Sequence, residues 1–177
     1  TGSLFQLVAR NRRRYGGYVV HAAVVLLAIG VAGSSAYQTV RERTLSVGQS
    51  MTAAGYTLTY RELESVQGAN YKGFRAVVDV SRGGSHIATV TPGENMYPIE
   101  GPANEASVYH DPRTLGDVFT TAQITKGNVI DLKVLTKPLV NLIWAAGFIF
   151  VFGALVALWP DAVEQRRLSE RYAAAAA

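Results

Sequence analysis

The distribution of hydrophobic and charged positions divides the chain into three parts. Residues 15–40 and 138–159 contain no Asp, Glu, Lys or Arg, whereas charged residues recur throughout the segment between them. Each uncharged run is long enough for the ~20 residues that a helix rising about 1.5 Å per residue needs to cross ~30 Å of hydrocarbon. The pattern therefore predicts a membrane protein with two transmembrane α-helices, over residues 15–40 and 138–160, flanking a polar domain.

A signal peptide and a pair of soluble core helices fit these runs less well than membrane spans do. The apolar core of the first run is longer than that of a signal peptide, and a small-residue cleavage site is not well placed. Buried helices of soluble proteins rarely lack charges over such a length. Aromatic residues with a polar tip, which favour the membrane interface, lie near the ends of the runs: Tyr15, Tyr18, Tyr37 and Trp159.

The segment between the runs has the pattern of β-strands. Residues 56–60, 74–80 and 130–134 alternate apolar and polar positions with a period of two, which is typical of half-buried strands. Gly83-Gly84 predicts a tight hairpin, and further turns are expected at Pro92-Gly93, Gly101-Pro102 and Asp111-Pro112. Residues 41–137 are therefore expected to form an extracytoplasmic all-β domain of six to eight short strands, either a small barrel or a sandwich.

The basic residues indicate how the chain is oriented. Arginines precede the first run at positions 10, 12, 13 and 14 and follow the second at positions 166, 167 and 171, whereas residues 41–137 carry ten basic and ten acidic side chains. Such arginine clusters resist transfer across a membrane. The segments 1–14 and 161–177 are therefore expected in the cytoplasm and the β domain in the periplasm. The alanines at 173–177 either continue a cytoplasmic helix or form a low-complexity tail.

Composition removes several classes of function. The neutral β domain lacks the basic face of a nucleic-acid-binding domain. The chain has no cysteine, which excludes a disulfide framework, a thiolate metal site and a dithiol redox pair. No glycine-rich phosphate loop, paired-carboxylate motif or metal-spaced cluster is visible, so the chain holds no complete active site.

His21 is the most informative of the three histidines. It lies about 9 Å along the first helix from Tyr15, where an ionisable group is costly and faces a partner or a cavity. Gly17, Ala28, Ala32 and Ser35 fall within about 40° of it on the helical wheel. Small neighbours permit either close helix packing or a bulky flat ligand. Neutral imidazole binds iron well, but a hydrogen bond to a neighbouring helix accounts for His21 equally well.

The other two histidines carry less weight. His110 adjoins Asp111, but adjacent residues in a turn or strand rarely point at one target and no nucleophile is spaced to join them, so His110 is expected to be a solvated loop residue. His86 follows the Gly83-Gly84 turn and is expected at the surface or in strand packing.

Five segments in order resemble the last part of the cytochrome c maturation protein CcmF family, between about Arg10 and Arg167. They are RRRYGGYVVHAAVVLLAIGVAGSSAY at 12–37, RERTL at 41–45 with GQS at 48–50, GYTLTY at 55–60, KPLVNLIW at 137–144 and GALVALWP at 153–160. The ordered set, rather than any one motif, makes the resemblance specific.

The resemblance implies a function. CcmF is the membrane subunit of a cytochrome c haem lyase, which takes haem from a haem chaperone and helps to attach it to apocytochrome c. The family also holds a b-type haem between two transmembrane histidines, thought to reduce the incoming haem with electrons from quinol. His21 matches the later of these histidines, which makes it the expected axial ligand of the haem iron, with the second ligand outside this chain.

Other family features have no counterpart in the chain. The family's tryptophan-rich loop, its two extracytoplasmic haem-binding histidines and its earlier transmembrane histidine are absent, and His86 and His110 do not lie in matching motifs. The chain is accordingly expected to be a fragment of a larger polypeptide or one half of a split subunit in the inner membrane. The alternative is a cofactor-free β domain, tethered to the membrane, that acts as an assembly module.

Overall fold

The computed structural model of the chain describes residues 11–159 and 162–175. Three helices are present in this part: α1 (Arg12–Ala36), α2 (Val140–Leu158) and α3 (Ala162–Ala175). The predicted segment 1–14 lies mostly outside the described residues, Arg10 included, as do residues 160–161 and 176–177. The chain forms two compact units, one of Gly30–Asn141 and one holding the rest of α1 together with α2 and α3.

Two long apolar helices flank the β domain, in the regions of the two uncharged runs. α1 has 25 residues and α2 has 19, and by length and composition each is able to cross a membrane. α1 ends at Ala36, so residues 37–40 of the predicted span belong to the connection and the first strand. α3 includes the alanines 173–175, which continue a helix as one of the two expectations had it.

Ten strands lie between α1 and α2 in the described chain. They are β1 (Thr39–Leu45), β2 (Ser50–Ala53), β3 (Tyr56–Gln67), β4 (Lys72–Arg82), β5 (Ser85–Val90), β6 (Gly93–Tyr97), β7 (Gly101–Glu105), β8 (Ser107–Asp111), β9 (Gly116–Lys126) and β10 (Val129–Lys137). The expected number of six to eight was too low, because several of the strands from β5 to β8 have only five or six residues, interrupted by Pro and Gly, and lack a clear alternation.

The strands form a sandwich rather than a barrel. One sheet has the order β1-β10-β9-β8, and the other has the order β2-β3-β4-β6-β7, with β5 paired to β4 beside β6. A single hydrophobic core joins the two sheets, with residues such as Leu132 and Val134 from the first and Leu58 and Val78 from the second. Two antiparallel sheets that share one core are the defining feature of a β-sandwich.

The side chains that alternate toward one face of β3, β4 and β10 in the sequence are the ones buried in the core. Tyr56, Leu58 and Tyr60 are buried in β3, as are the alternate residues of β4 and β10 that the pattern selected: Phe74, Ala76, Val78, Val80, Ile130, Leu132 and Val134. A shift of one residue would turn each of these sets toward solvent, so the hydrophobic pattern specifies the register.

Two turns show how the short strands connect. Gly83 and Gly84 have φ of 57° and 82°, the left-handed conformations that a two-residue hairpin requires at both positions. The predicted β4–β5 hairpin is therefore confirmed. Pro102 lies within β7, the edge strand of its sheet, where a residue without an N–H does not interrupt a ladder. The turn comes just before it rather than at Gly101-Pro102.

β1 is the edge strand of the first sheet and pairs antiparallel with β10, the last strand of the domain. Thr39 pairs with Thr136 and Leu45 with Ile130, although these residues are far apart in sequence. The chain therefore enters and leaves the sandwich side by side, immediately after α1 and immediately before α2.

Candidate functional site

His21 lies in the first half of α1, and a hydrogen bond joins its ring to the helix backbone. Its Nδ1 lies 2.8 Å from the carbonyl oxygen of Gly17, one turn earlier. A carbonyl oxygen only accepts hydrogen bonds, so Nδ1 carries the proton and donates it. In the neutral imidazole the second nitrogen, Nε2, then keeps its lone pair. A backbone carbonyl that orients the ring in this way is the usual companion of a histidine that binds a metal.

α1 has two different faces. Gly16 and Ala23 are buried, and a Cβ added at Gly16 would lie 2.6 Å from the backbone nitrogen of Ala157 in α2. Gly153 of α2 makes the reciprocal close approach to Val19 and Val20. Backbones approach this closely only through small residues, so this face of α1 is already used to pair the two helices.

The His21 face is the opposite one. His21, Ala28, Ala32 and Ser35 are exposed, and Gly17 is half-buried. A Cβ added at Gly17 would have no neighbour within 4 Å. This face of α1 is therefore turned away from α2, with open space at Gly17 one turn before His21 and the exposed side chain of Val25 one turn after it.

The other two histidines lie on the sandwich surface. His110 belongs to β8 rather than to a loop, and its Nδ1 is 2.7 Å from Asp117 Oδ1 on β9. His86 lies in β5, with Nε2 at 3.5 Å from Asp79 Oδ1. Both side chains are exposed. The prediction that His110 and Asp111 point at different targets is confirmed, because alternation along β8 turns Asp111 into the core.

Asp111 forms a buried network that the sequence did not reveal. Its side chain is only 3% exposed and accepts hydrogen bonds from Tyr56 at 2.6 Å and Arg82 at 2.8 Å, while Arg113 donates its backbone N–H to the other oxygen. The Arg82 guanidinium also lies 5.1 Å from the centre of the Tyr56 ring. Partners from β3, β4 and β8 meet here, and because they are far apart in sequence no local pattern indicated the cluster.

The network shifts the acidities of its members in opposite directions. Burial alone would raise the pKa of Asp111, but the hydrogen bonds from Tyr56 and the Arg113 backbone, together with the Arg82 charge, bring it below the ordinary value. Burial and the hydrogen bond to Asp111 raise the pKa of Tyr56. A charged Asp111 and a protonated Tyr56 are thus the stable pair.

A small cavity of about 100 Å³ lies next to this network, between the ends of β1 and β10. Tyr56, Thr114 and Asp117 contribute to its wall, together with Tyr37 and Lys137. Within the described residues no group of three or more His, Asp or Glu side chains is placed to hold a metal ion.

Comparison with known proteins identifies the family. The family model described as the CcmF C-terminal beta-sandwich matches residues 36–138, more than half of the chain. The chain belongs to the CcmF family. The match covers the two sheets, and α1 and α2 flank it on either side.

Relatives extend the likeness to CcmF beyond the sandwich. The cytochrome c-type biogenesis protein ccl1 of Rhodobacter capsulatus is 30% identical over 149 residues, which are 83% of this chain and 22% of the relative. CcmF of Pseudomonas fluorescens is 28% identical over 88% of this chain and 24% of its own length. A solved structure named cytochrome c heme lyase CcmF matches 86% of this chain and 26% of its own, with a TM-score of 0.68 and 25% identity. The chain thus spans about a quarter of the length of the relatives it matches.

Proposed function

We propose that this chain works in cytochrome c biogenesis as part of a membrane cytochrome c haem lyase. Membership of the CcmF family supports the proposal, as do the relatives whose names describe cytochrome c-type biogenesis. The proposed activity is to take haem from a haem chaperone, to keep it reduced, and to help attach it to apocytochrome c together with other maturation subunits.

His21 is the proposed axial ligand of a b-type haem. The observation that carries this proposal is the hydrogen bond of Nδ1 to the Gly17 carbonyl, which leaves Nε2 available on a face that α2 does not cover. The imidazole is at a depth where water is scarce, so an exposed lone pair there needs a partner. The residues present fit a porphyrin in two respects: a donor of the right chemistry and, one turn before it, a glycine with no neighbour within 4 Å of an added Cβ.

Each residue of this site has a separate task. His21 would bind the iron through Nε2, the Gly17 carbonyl would hold the ring and its tautomer, and the small side chains at 28 and 32 would leave space for the macrocycle. A bound haem would supply one-electron chemistry between quinol and the incoming haem. The other two histidines of the chain lie on the sandwich, so the second axial ligand comes from another segment.

The proposed placement is the bacterial inner membrane, with α1 and α2 as spans and the segments 1–14 and 161–177 in the cytoplasm. The arginines that flank the helices support this orientation. Arg14 donates a 2.7 Å hydrogen bond to the Tyr18 hydroxyl, a pairing suited to the cytoplasmic interface. The sandwich, residues 41–137, would then face the periplasm, where apocytochrome c and the chaperone are met.

The test is the haem content of the assembled complex purified from membranes. We expect His21→Ala to remove most of the b-type absorption spectrum, whereas His86→Ala and His110→Ala, on the exposed sandwich surface, leave it unchanged. His21→Met replaces the imidazole by a thioether, which is still able to bind haem iron. This variant is expected to retain haem at a higher reduction potential. Undiminished haem and an unchanged potential in both His21 variants would rule out the ligand role.

A second candidate function is an assembly module without a cofactor. The observation that favours it is the sandwich's own continuous hydrophobic core, whose residues all come from the strands and none from α1 or α2. In that case wild-type and His21 variants would contain equally little haem and would support cytochrome c maturation equally well.

A further inference from the structure

The side chains of α2 that lie on the face away from α1 form a continuous hydrophobic stripe. On a helical wheel they fall within a sector about 100° wide. Each of them is more than half exposed in this chain: Trp144, Phe148, Val151, Phe152 and Leu155 of α2, together with Trp159, which directly follows the last residue of the helix. We call this set the aromatic stripe.

The opposite face of α2 carries the small residues. Ala146 and Gly153 are buried and lie about 180° from the stripe. A Cβ at Gly153 would come within 2.9 Å of Val19 Cγ1 in α1. Close packing of membrane helices depends on small residues, and on α2 the contact with α1 already uses them.

The stripe lacks the features that bind another helix. No side chain from residue 145 to residue 158 has a polar atom, so this part of α2 has no hydrogen bond to offer. Its exposed positions are bulky, which keeps a neighbouring backbone at a distance. Lipid acyl chains need neither hydrogen bonds nor close backbone approach.

The residues at the two ends of the stripe also favour contact with lipid. Trp144 lies near the start of α2, and Trp159 directly follows its last residue, Leu158. They are the two tryptophans of the chain, and each is more than half exposed. An indole has an apolar body and one N–H donor, and such rings concentrate at the two membrane–water interfaces. A stretch that is purely hydrocarbon from residue 145 to residue 158, with an indole at each end, follows the polarity order of a bilayer from interface through hydrocarbon to interface.

We propose that the aromatic stripe contacts the acyl chains of the bilayer, so that α2 is an outer helix of the assembly and α1 presents His21 to the protein interior. The inference rests on the proposed spanning role of α2, and it goes further by assigning one face of the pair to lipid and the other to protein and cofactor. The pairing of α1 with α2 makes the two assignments consistent, since the His21 face and the stripe each lie away from the helix–helix contact.

Spin labels distinguish lipid from protein and from water. The chain has no cysteine, so single cysteines are introduced along residues 145–156 of the assembled protein in proteoliposomes. Collision with oxygen, which dissolves in acyl chains, and with a water-soluble nickel chelate is measured at each label. We expect oxygen accessibility to oscillate with the helical period, several-fold higher at 148, 151 and 155 than at 146 and 153, with little access for nickel.

Two outcomes would overturn the inference. Low accessibility to both reagents at the stripe would mean that another protein segment covers it, while α2 still spans the membrane. High accessibility to nickel along the whole scan would mean that α2 is not in hydrocarbon, and the proposed span would fail as well. Val151→Cys is nearly isosteric, so the stripe is still tested if the larger replacement Phe148→Cys disturbs folding.

Discussion

At the scale of single residues, the chain places its two important polar side chains in opposite environments. His21 stands on an uncovered helix face with one ring nitrogen bonded to Gly17, whereas Asp111 is enclosed by donors from two other strands. Burying a charge is costly unless it is paired and hydrogen-bonded. Asp111 meets that condition within the sandwich, whereas Nε2 of His21 has its proposed partner outside the chain.

Gly17 provides a direct test of the space beside His21. Gly17→Leu introduces a side chain where the described chain has no neighbour within 4 Å. The helix should therefore keep its fold, but the leucine would occupy the volume assigned to the porphyrin. We expect haem affinity to fall on the order of tenfold, about 1.4 kcal/mol, measured by haem titration of the apoprotein. Gly147→Leu, at an equally open glycine of α2, is the matched control; equal affinity in both variants would contradict the placement.

The Asp111 network is expected to add measurably to the stability that the hydrophobic core gives the sandwich. Asp111→Ala leaves Arg82 and the Tyr56 hydroxyl without their acceptor, and breaking such a pair costs roughly 3 kcal/mol. Tyr56→Phe removes the hydrogen bond to Asp111 and the longer one shared with Thr114, and it should cost about 1 kcal/mol. Urea unfolding of the chain in detergent, followed by circular dichroism, measures both. Asp117→Asn at the exposed pair with His110 should change the free energy of unfolding by less than about 1 kcal/mol.

At the scale of secondary-structure elements, small residues join α1 to α2 and large residues cover the remaining face of α2. Gly16 and Gly153 permit contact between the backbones, and bulky side chains would not fit there. In the sandwich the strands differ by position. The short edge strand β7 tolerates Pro102, while the central strands β3, β4, β9 and β10 supply most of the core.

Gly153→Leu should separate the helix pair. Its Cβ alone would approach Val19 and Val20 to about 3 Å, so the helices have to move apart. We expect a longer distance between spin labels at 25 and 151, measured by pulsed electron resonance, and lower thermal stability in detergent. Gly147→Leu, on the open side of α2, should leave the distance unchanged; an unchanged distance in Gly153→Leu would show that the two helices are not packed as described.

At the scale of the whole molecule, the stability of the sandwich should depend on acidity. The pKa of Asp111 is lowered in the folded state from its ordinary 3.8, so its stabilising contribution is complete above that value and is lost as the pH falls through the lower folded pKa. Asp79, whose pKa is lowered by the hydrogen bonds from Arg61 and Thr89, acts in the same direction.

Acid titration checks this dependence. The free energy of unfolding should fall as the pH drops below about 4, and Asp111→Asn should flatten that part of the curve because it removes the titrating group. Circular dichroism at fixed urea concentration follows the transition. A curve for Asp111→Asn that parallels the wild type would assign the acid sensitivity to other carboxylates, Asp79 first.

Much of the architecture can be predicted from the sequence because it depends on local patterns. Uncharged runs of helical length, flanking arginines and period-two alternation are properties of neighbouring residues, and they indicated both long helices, the buried sets of β3, β4 and β10, and the Gly83-Gly84 hairpin. The short strands β5 to β8 were undercounted because five-residue segments with Pro and Gly carry little periodic information. His21 was singled out for the same local reason: it interrupts an apolar run.

The sequence by itself determined where the chain is apolar enough to leave water, which residues alternate into a core, and which histidine is out of place. Only the tertiary structure decided between sandwich and barrel, since that depends on which strand edges pair, and the ten strands pair within two separate sheets. It alone brought Tyr56, Arg82 and Asp111 together and turned His21 away from α2. These outcomes depend on contacts between residues distant in sequence, and such contacts form only when whole elements pack against one another.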